Sequence, residues 1–180
     1  MADYNKNLWA PWRMEYLRSL REETEDSGCF FCRYLAQPEQ DQANLVVWRG
    51  QNCFVVMNRF PYTNGHLLVA VNSHVGDPLA LEPAEASELA STTWQVVDLL
   101  RAVLDPEGFN VGTNLGHAAG AGVPDHLHTH VVPRWGGDTN YMAVLGDTRV
   151  VPDSLTALYA QLTQRAAAMG LRDTPPGSAV

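Results

Sequence analysis

Three of the six histidines in this chain fall at alternate positions of one short segment, "DHLHTHVVP", Asp125 to Pro133. On an extended strand successive side chains point to opposite faces, so His126, His128 and His130 share one face while Leu127, Thr129 and Val131 share the other. Three imidazoles in register can ligate a metal. They can also present one ring as a nucleophile while its neighbours handle protons and charge. A cupin-like metal site built on His126 and His128 would call for a glutamate a few residues on, and 133–137 read Pro, Arg, Trp, Gly, Gly. The all-metal reading is thereby weakened, and nucleophilic use of the array stays open. It asks for a neutral ring whose second nitrogen is held by an acceptor, for which a backbone carbonyl of the preceding loop is the natural candidate.

The loop ahead of the triad, "NLGHAAGAGVPDH", is rich in glycine. Glycine lets backbone N–H groups approach a phosphate closely, so Gly120 and Gly122, with the Asn114 amide, form a candidate oxyanion cradle. His117 reads as an ordinary loop residue. Earlier in the chain, "CFFC" sets Cys29 and Cys32 at a spacing that can grip one zinc ion, serve as a redox pair, or hold two unligated thiols. Cys53, inside an apolar run, reads as a small buried side chain.

The elements that must carry these residues are legible from periodicity. "NLVVWRG", "NCFVVMN" and "HLLVAV" are apolar runs separated by turn chemistry, and predict a three-stranded meander. "EPAEASELASTTWQVVDLLRAVL" places Leu89, Trp94, Val97, Leu100 and Leu104 at helical spacing, with Pro83 in the first turn and "DPEG" as the stop. "FNVGTNL" and the histidine strand come next, followed by a last helix over about "PDSLTALYAQLTQRAAAM". A short amphipathic helix is expected after Pro11, and "SGCFFCRYL" reads as a knuckle leading into a helical turn. The order of elements predicts an α+β fold with an antiparallel sheet. A single domain is expected over 1–170, with an N-terminal helical and zinc-knuckle extension and a flexible tail over 171–180. No repeat or linker interrupts it.

Bulk properties narrow the function. A net charge of −8 at 180 residues opposes a nucleic-acid polymer as partner, because that affinity rests on many Lys and Arg contacts. A small phosphorylated ligand needs only local donors. The scattered charges of the first 17 residues and the scarcity of cysteine point to a cytoplasmic protein without a signal peptide or membrane span.

"HLHTHVV" resembles the motif of the histidine triad (HIT) family, and the resemblance extends through "MNRFPYTNGHLLVAVNSH" and "FNVGTNLG". "LWAPWRMEYL", "PYTNGHL" and "HVVPRWGGDTNYM" are most similar to the branch containing the bacterial diadenosine tetraphosphate phosphorylases. Roughly residues 8 to 160 are covered. The resemblance implies a HIT-like fold and a homodimer. It also implies a nucleotidyl transferase or hydrolase in which His128 attacks the α-phosphorus of a nucleotide and forms a nucleotidyl-histidine intermediate. His130 would donate to a phosphate oxygen or assist the leaving group, and Asn114 would serve the phosphate. In the same pattern Asn58 aligns with a ribose-binding residue, Phe54 and Val56 become candidate walls of a base pocket, and His66 takes a structural or site-wall role. Some bacterial members complete a Cys-x-x-Cys zinc site with residues matching His74 and His126, which implies a structural zinc on Cys29, Cys32, His74 and His126. Phosphorolysis of diadenosine tetraphosphate to ADP and ATP, with inorganic phosphate as acceptor, is the activity expected. Hydrolysis of dinucleotides or of nucleoside phosphoramidates competes with it. So do a nucleotide-binding protein of negligible turnover and a zinc-dependent hydrolase. One departure stands out: Gly122 replaces the Gln or Ser that many members carry there, so backbone donors must substitute for a side-chain phosphate contact.

Overall fold

The computed structural model describes residues 28–138 and 154–171. The helix expected after Pro11 and the tail lie outside these, apart from residue 171. Helix α1 (Phe30–Ala36) follows the cysteine knuckle, and a single turn α2 (Asp41–Asn44) leads into strands β1 (Val46–Arg49), β2 (Cys53–Met57) and β3 (Leu67–Val71). Helix α3 (Pro83–Leu104) connects to β4 (Gly108–Thr113), then come β5 (His128–Arg134) and helix α4 (Leu155–Ala168). The five strands form one sheet in the order β1-β2-β3-β5-β4, antiparallel throughout. The meander is present as expected, and β5 inserts between β3 and β4.

Alternation divides the sheet into two chemically different faces. Val55, Val69, Val71 and Val131 pack against α3 and α4 through Val96, Leu99, Leu100, Leu158 and Leu162. Phe54, Val56, Leu68 and Ala70 lie on the opposite face, where α1 covers them with Phe31 and Tyr34. Arg49 holds α1 in place by donating to the carbonyl of Tyr34 at 2.6 Å while it pairs with the Asp41 carboxylate.

Helix α3 starts at Pro83 behind a capping box in which Glu82 and Glu85 exchange side-chain and backbone bonds. Its buried stripe differs from the expected one at one position, because Trp94 is 63% exposed. At 100° per residue Trp94 lies about 120° from Leu100, and Thr93 and Val96 occupy the buried line instead. A second difference concerns the histidines. Strand β5 begins at His128, and His126 sits in the bend before it, where Leu127 donates to Val75 at 2.7 Å.

Two glycines make the approach to the site possible. Gly65 has φ +80°, and a Cβ there would lie 2.4 Å from Leu104 Cδ1, so only glycine turns the chain tightly enough to start His66 on its course. A Cβ on Gly76 would lie 2.3 Å from the carbonyl oxygen of Pro124. That close approach brings the His74 segment against the link that carries His126.

Candidate active site and metal centre

His128 and His130 lie on the α1-covered face of the sheet, opposite Ala70 and Leu68 of β3. Their ring centroids are 5.1 Å apart. On the other side of β5, His130 faces Gly112, where an added Cβ would meet nothing within 4 Å. Thr113 pairs with Thr129, so continuing the antiparallel register by one residue sets Asn114 opposite His128. The Asn114 amide donates to the carbonyl of Gly120 at 3.5 Å, which draws the glycine loop back toward β5. Gly120 itself has φ +89°, a left-handed turn that ends the short helical turn His117–Ala119. Gly122 is half-buried and His117 is exposed on the outside of the loop.

Each ring's protonation follows from what its nitrogens meet. His128 Nδ1 lies 2.8 Å from the carbonyl oxygen of His126. A carbonyl only accepts, so Nδ1 carries the proton and Nε2 keeps its lone pair. The acceptor is thus a carbonyl of the segment just before the strand, as expected. Burial holds His128 below the ordinary histidine value of 6.5, opposed in part by that bond. The result is a neutral, nucleophilic imidazole at physiological pH.

His126 is fully buried and turns its ring away from this pair. Its Nε2 donates to the carbonyl of Val71 at 2.7 Å, which leaves the Nδ1 lone pair facing Cys29 Sγ at 3.3 Å, His74 Nδ1 at 3.4 Å and Cys32 Sγ at 3.6 Å. The four ligand atoms all lie within 4.8 Å of one another. Metal–ligand bonds of about 2.0–2.3 Å in a tetrahedron give ligand separations of roughly 3.3–3.8 Å, so the constellation has the size of a zinc site. The donor chemistry agrees. Burial pushes His126 down to about 4, which keeps it a neutral ligand. Burial and the neighbouring Cys29 push the Cys32 thiol up to about 11, a cost that a divalent cation between the two sulfurs would reverse. The carbonyl bond on Nε2 is the outer-shell partner that a metal-bound histidine normally has. Cys53 is buried against the helices, and its thiol is pushed up to about 12 by burial and by Glu88 and Glu85.

The remaining expected residues fall differently. Phe54 and Val56 are on the triad face, but at 0% and 1% exposure they are sealed beneath α1 and give a base no open wall. Asn58 is also buried, and its side chain is engaged by Phe60 N–H and by His66. It does not stand open toward a ribose. His66 is buried and its Nε2 lies 2.9 Å from His130 Nδ1, so it joins the His128–His130 pair directly. Two further residues belong to the site. Phe31, between the two cysteines, packs its ring 4.9 Å from both His126 and His128. Tyr62 stacks on His130 with centroids 5.8 Å apart. "CFFC" and "PYTNGH" contain these residues, but nothing in either spacing marks the aromatic as a neighbour of the triad.

The HIT domain model matches residues 39–137, a span that contains β1 through β5 and both His128 and His130. The chain belongs to the HIT family. With that domain it is a HIT-type enzyme of the nucleotidyltransferase and hydrolase class. It is 38% identical over 156 residues to the AP-4-A phosphorylase of Mycobacterium tuberculosis, covering 85% of this chain and 80% of that protein. A zinc-bound HIT-family protein from Mycobacterium smegmatis superimposes with a TM-score of 0.61 at 27% identity, covering 78% of this chain and 96% of that one. A histidine triad protein from Sulfolobus tokodaii gives 0.63 at 23% identity and covers 78% and 93%, which shows the shared fold. No helix among the described residues is long and apolar enough to cross a membrane.

Proposed function

We propose that this HIT protein cleaves dinucleoside polyphosphates by way of a covalent nucleotidyl-His128 intermediate, and that its principal reaction is phosphorolysis of diadenosine tetraphosphate to ADP and ATP. The observation that carries the mechanism is the bond from His128 Nδ1 to the His126 carbonyl, which leaves Nε2 unprotonated with its lone pair available for attack. That nitrogen attacks the α-phosphorus of one adenylyl group, a P–N bond forms, the P–O bond breaks, and ATP departs as an anion. An oxygen of inorganic phosphate then attacks the same phosphorus, the P–N bond breaks, and ADP leaves with His128 restored. His130 donates a hydrogen bond to the oxygens that gain charge, and backbone N–H groups of the Asn114–Gly122 loop stabilise the phosphoryl group. The 38% identity to an AP-4-A phosphorylase favours phosphate over water as the acceptor.

Zinc on Cys29, Cys32, His74 and His126 is part of the same reading. The four residues would supply a complete tetrahedral donor set, so an ion held there would have no open position for substrate and would contribute structure rather than chemistry. The homodimer draws support from the outer strand β4, exposed from Asn110 to Thr113, with Val111 39% exposed on the strand and Trp94 63% exposed on α3. A cytoplasmic setting suits the free thiols and the nucleotide substrate.

Product analysis of diadenosine tetraphosphate with and without inorganic phosphate tests the proposal. ADP and ATP are expected only with phosphate, and His128→Ala should reduce turnover by about 10³-fold or more and abolish a trapped adenylyl-protein adduct. AMP and ATP formed without phosphate would make the enzyme a hydrolase. Nucleotide binding with turnover unchanged in His128→Ala would refute the covalent mechanism.

A further inference from the structure

We infer that Asn58 is a positioning residue that, through His66, fixes His130 as a neutral Nε2–H donor and thereby favours leaving groups that depart as anions. This rests on the reading of His130 as the donor to the departing group. The chain of bonds starts at a group whose polarity is certain. Phe60 N–H lies 2.9 Å from Asn58 Oδ1. A backbone N–H can only donate, so the carboxamide oxygen faces Phe60 and the NH₂ faces His66, with Nδ2 3.2 Å from His66 Nδ1. Tyr62 N–H donates to the same His66 Nδ1 at 3.2 Å. Two donors on one ring nitrogen require it to hold the lone pair, so the His66 proton is on Nε2. That proton points at His130 Nδ1, 2.9 Å away, which must accept, and the proton of His130 is therefore on its own Nε2.

The two catalytic-face rings, 5.1 Å apart, are thus locked in opposite tautomers by independent devices. His128 takes its proton on Nδ1 from the demand of the His126 carbonyl, and His130 takes its proton on Nε2 from the demand of Asn58 and the Tyr62 N–H, relayed by His66. One presents a lone pair and the other a donor. The relay also opposes a second proton on His130, because Nδ1–H would confront His66 Nε2–H. A neutral donor can stabilise charge on a leaving phosphate oxygen, which departs without a proton. It has no spare proton for an amine leaving group, as in a phosphoramidate, whose nitrogen must be protonated when the P–N bond breaks.

An aspartate at this position would reverse the chain. A carboxylate beside His66 Nδ1 has no N–H to offer and, as a charged acceptor, draws a proton onto that nitrogen against the weaker neutral Tyr62 N–H, so His66 would move its proton to Nδ1 and accept at Nε2, and His130 would carry a proton on Nδ1. The carboxylate would then balance a second proton on His130. The experiment is long-range ¹H–¹⁵N correlation of the ring nitrogens in ¹⁵N-histidine-labelled protein, which reports each tautomer without any turnover. Wild type should show His128 protonated on Nδ1 and His130 and His66 on Nε2. In Asn58→Asp, His66 and His130 should gain Nδ1 protons while His128 is unchanged. The ratio of kcat/KM for adenosine 5′-phosphoramidate to that for diadenosine tetraphosphate should rise about tenfold or more. His130 protonated on Nδ1 in wild type overturns the inference whether or not the variant folds. An unchanged substrate ratio in a folded Asn58→Asp, with the tautomers switched, overturns the leaving-group selection. Tautomers as assigned in a protein that turns over no nucleotide would uphold the relay and defeat the proposed function instead.

Discussion

Replacing Phe31 by alanine should separate two roles of one side chain. Phe31 is fully buried, and its ring contacts the imidazoles of His126 and His128 at 4.9 Å each and Phe54 at 6.0 Å. Truncating a buried phenylalanine costs about 3–5 kcal/mol through lost transfer energy and the cavity left behind. With a urea slope of about 2 kcal/mol per molar, a loss of about 4 kcal/mol lowers the unfolding midpoint by about 2 M. The second effect is electrostatic. Burial is the chief cause of the lowered His128 value, so opening this wall to water should move it back up toward 6.5. With the neutral ring as the proposed nucleophile, the acid limb of kcat/KM should move to higher pH in the variant than in wild type. Phe31→Leu, which keeps most of the volume, should fall between the two proteins in both measurements. A midpoint shift below about 0.5 M would refute the packing account. A large loss of stability with an unmoved acid limb would show that Phe31 supports α1 without shielding the nucleophile.

Chelation of the metal, or Cys32→Ser, should cost about 3 kcal/mol or more and lower Tm by about 6–12 °C, read by calorimetry beside the zinc content. In the metal-free protein His126 titrates near 4 when folded against 6.5 when unfolded, so the unfolded chain binds the extra proton between these values. Its stabilising contribution is complete above pH 6.5 and is lost as pH falls toward 4, by at most about 3 kcal/mol in urea titrations, and a flat profile there would contradict its burial as a neutral ring. Gly76→Ala should destabilise by about 1–3 kcal/mol and weaken zinc retention, because the added Cβ meets the Pro124 carbonyl oxygen at 2.3 Å. His126→Ala removes the metal ligand and keeps the backbone carbonyl, so zinc should be lost while the His128 tautomer persists in nitrogen-resolved spectra.

What was legible in the sequence is what local pattern determines. Alternation in "DHLHTHVVP" set the histidine face, and periodicity gave the meander and α3 nearly to its ends. The Cys-x-x-Cys spacing showed half of the metal cluster, and family resemblance supplied His74 and His126. The errors have a common origin in contacts between distant segments. Trp94 fits an apolar stripe by type, and only the placement of α3 on the sheet shows that it faces solvent. Phe54 and Val56 have the right parity for a base pocket, yet α1, held by Arg49 to Tyr34, lies over them. Asn58 looks like a free amide in one dimension, and the turn through Phe60 and Tyr62 folds donors onto Asn58 and His66.

The triad itself is less uniform than its spacing suggests. Equal spacing sets three rings on one side, but each ring's chemistry depends on the group that meets its second nitrogen. For His126 that group is the Val71 carbonyl, so the remaining lone pair serves the sulfur cluster. For His128 it is the His126 carbonyl, so the remaining lone pair on Nε2 is the one proposed to attack substrate. For His130 it is a histidine N–H, so the remaining nitrogen is a donor. His126 thereby joins the two centres: its ring anchors the knuckle and its carbonyl sets the nucleophile. The cysteine–histidine cluster and the proposed nucleophile meet at one residue but use different atoms of it. An ion held by the four ligands would therefore fix the segment from which that carbonyl projects, without touching substrate.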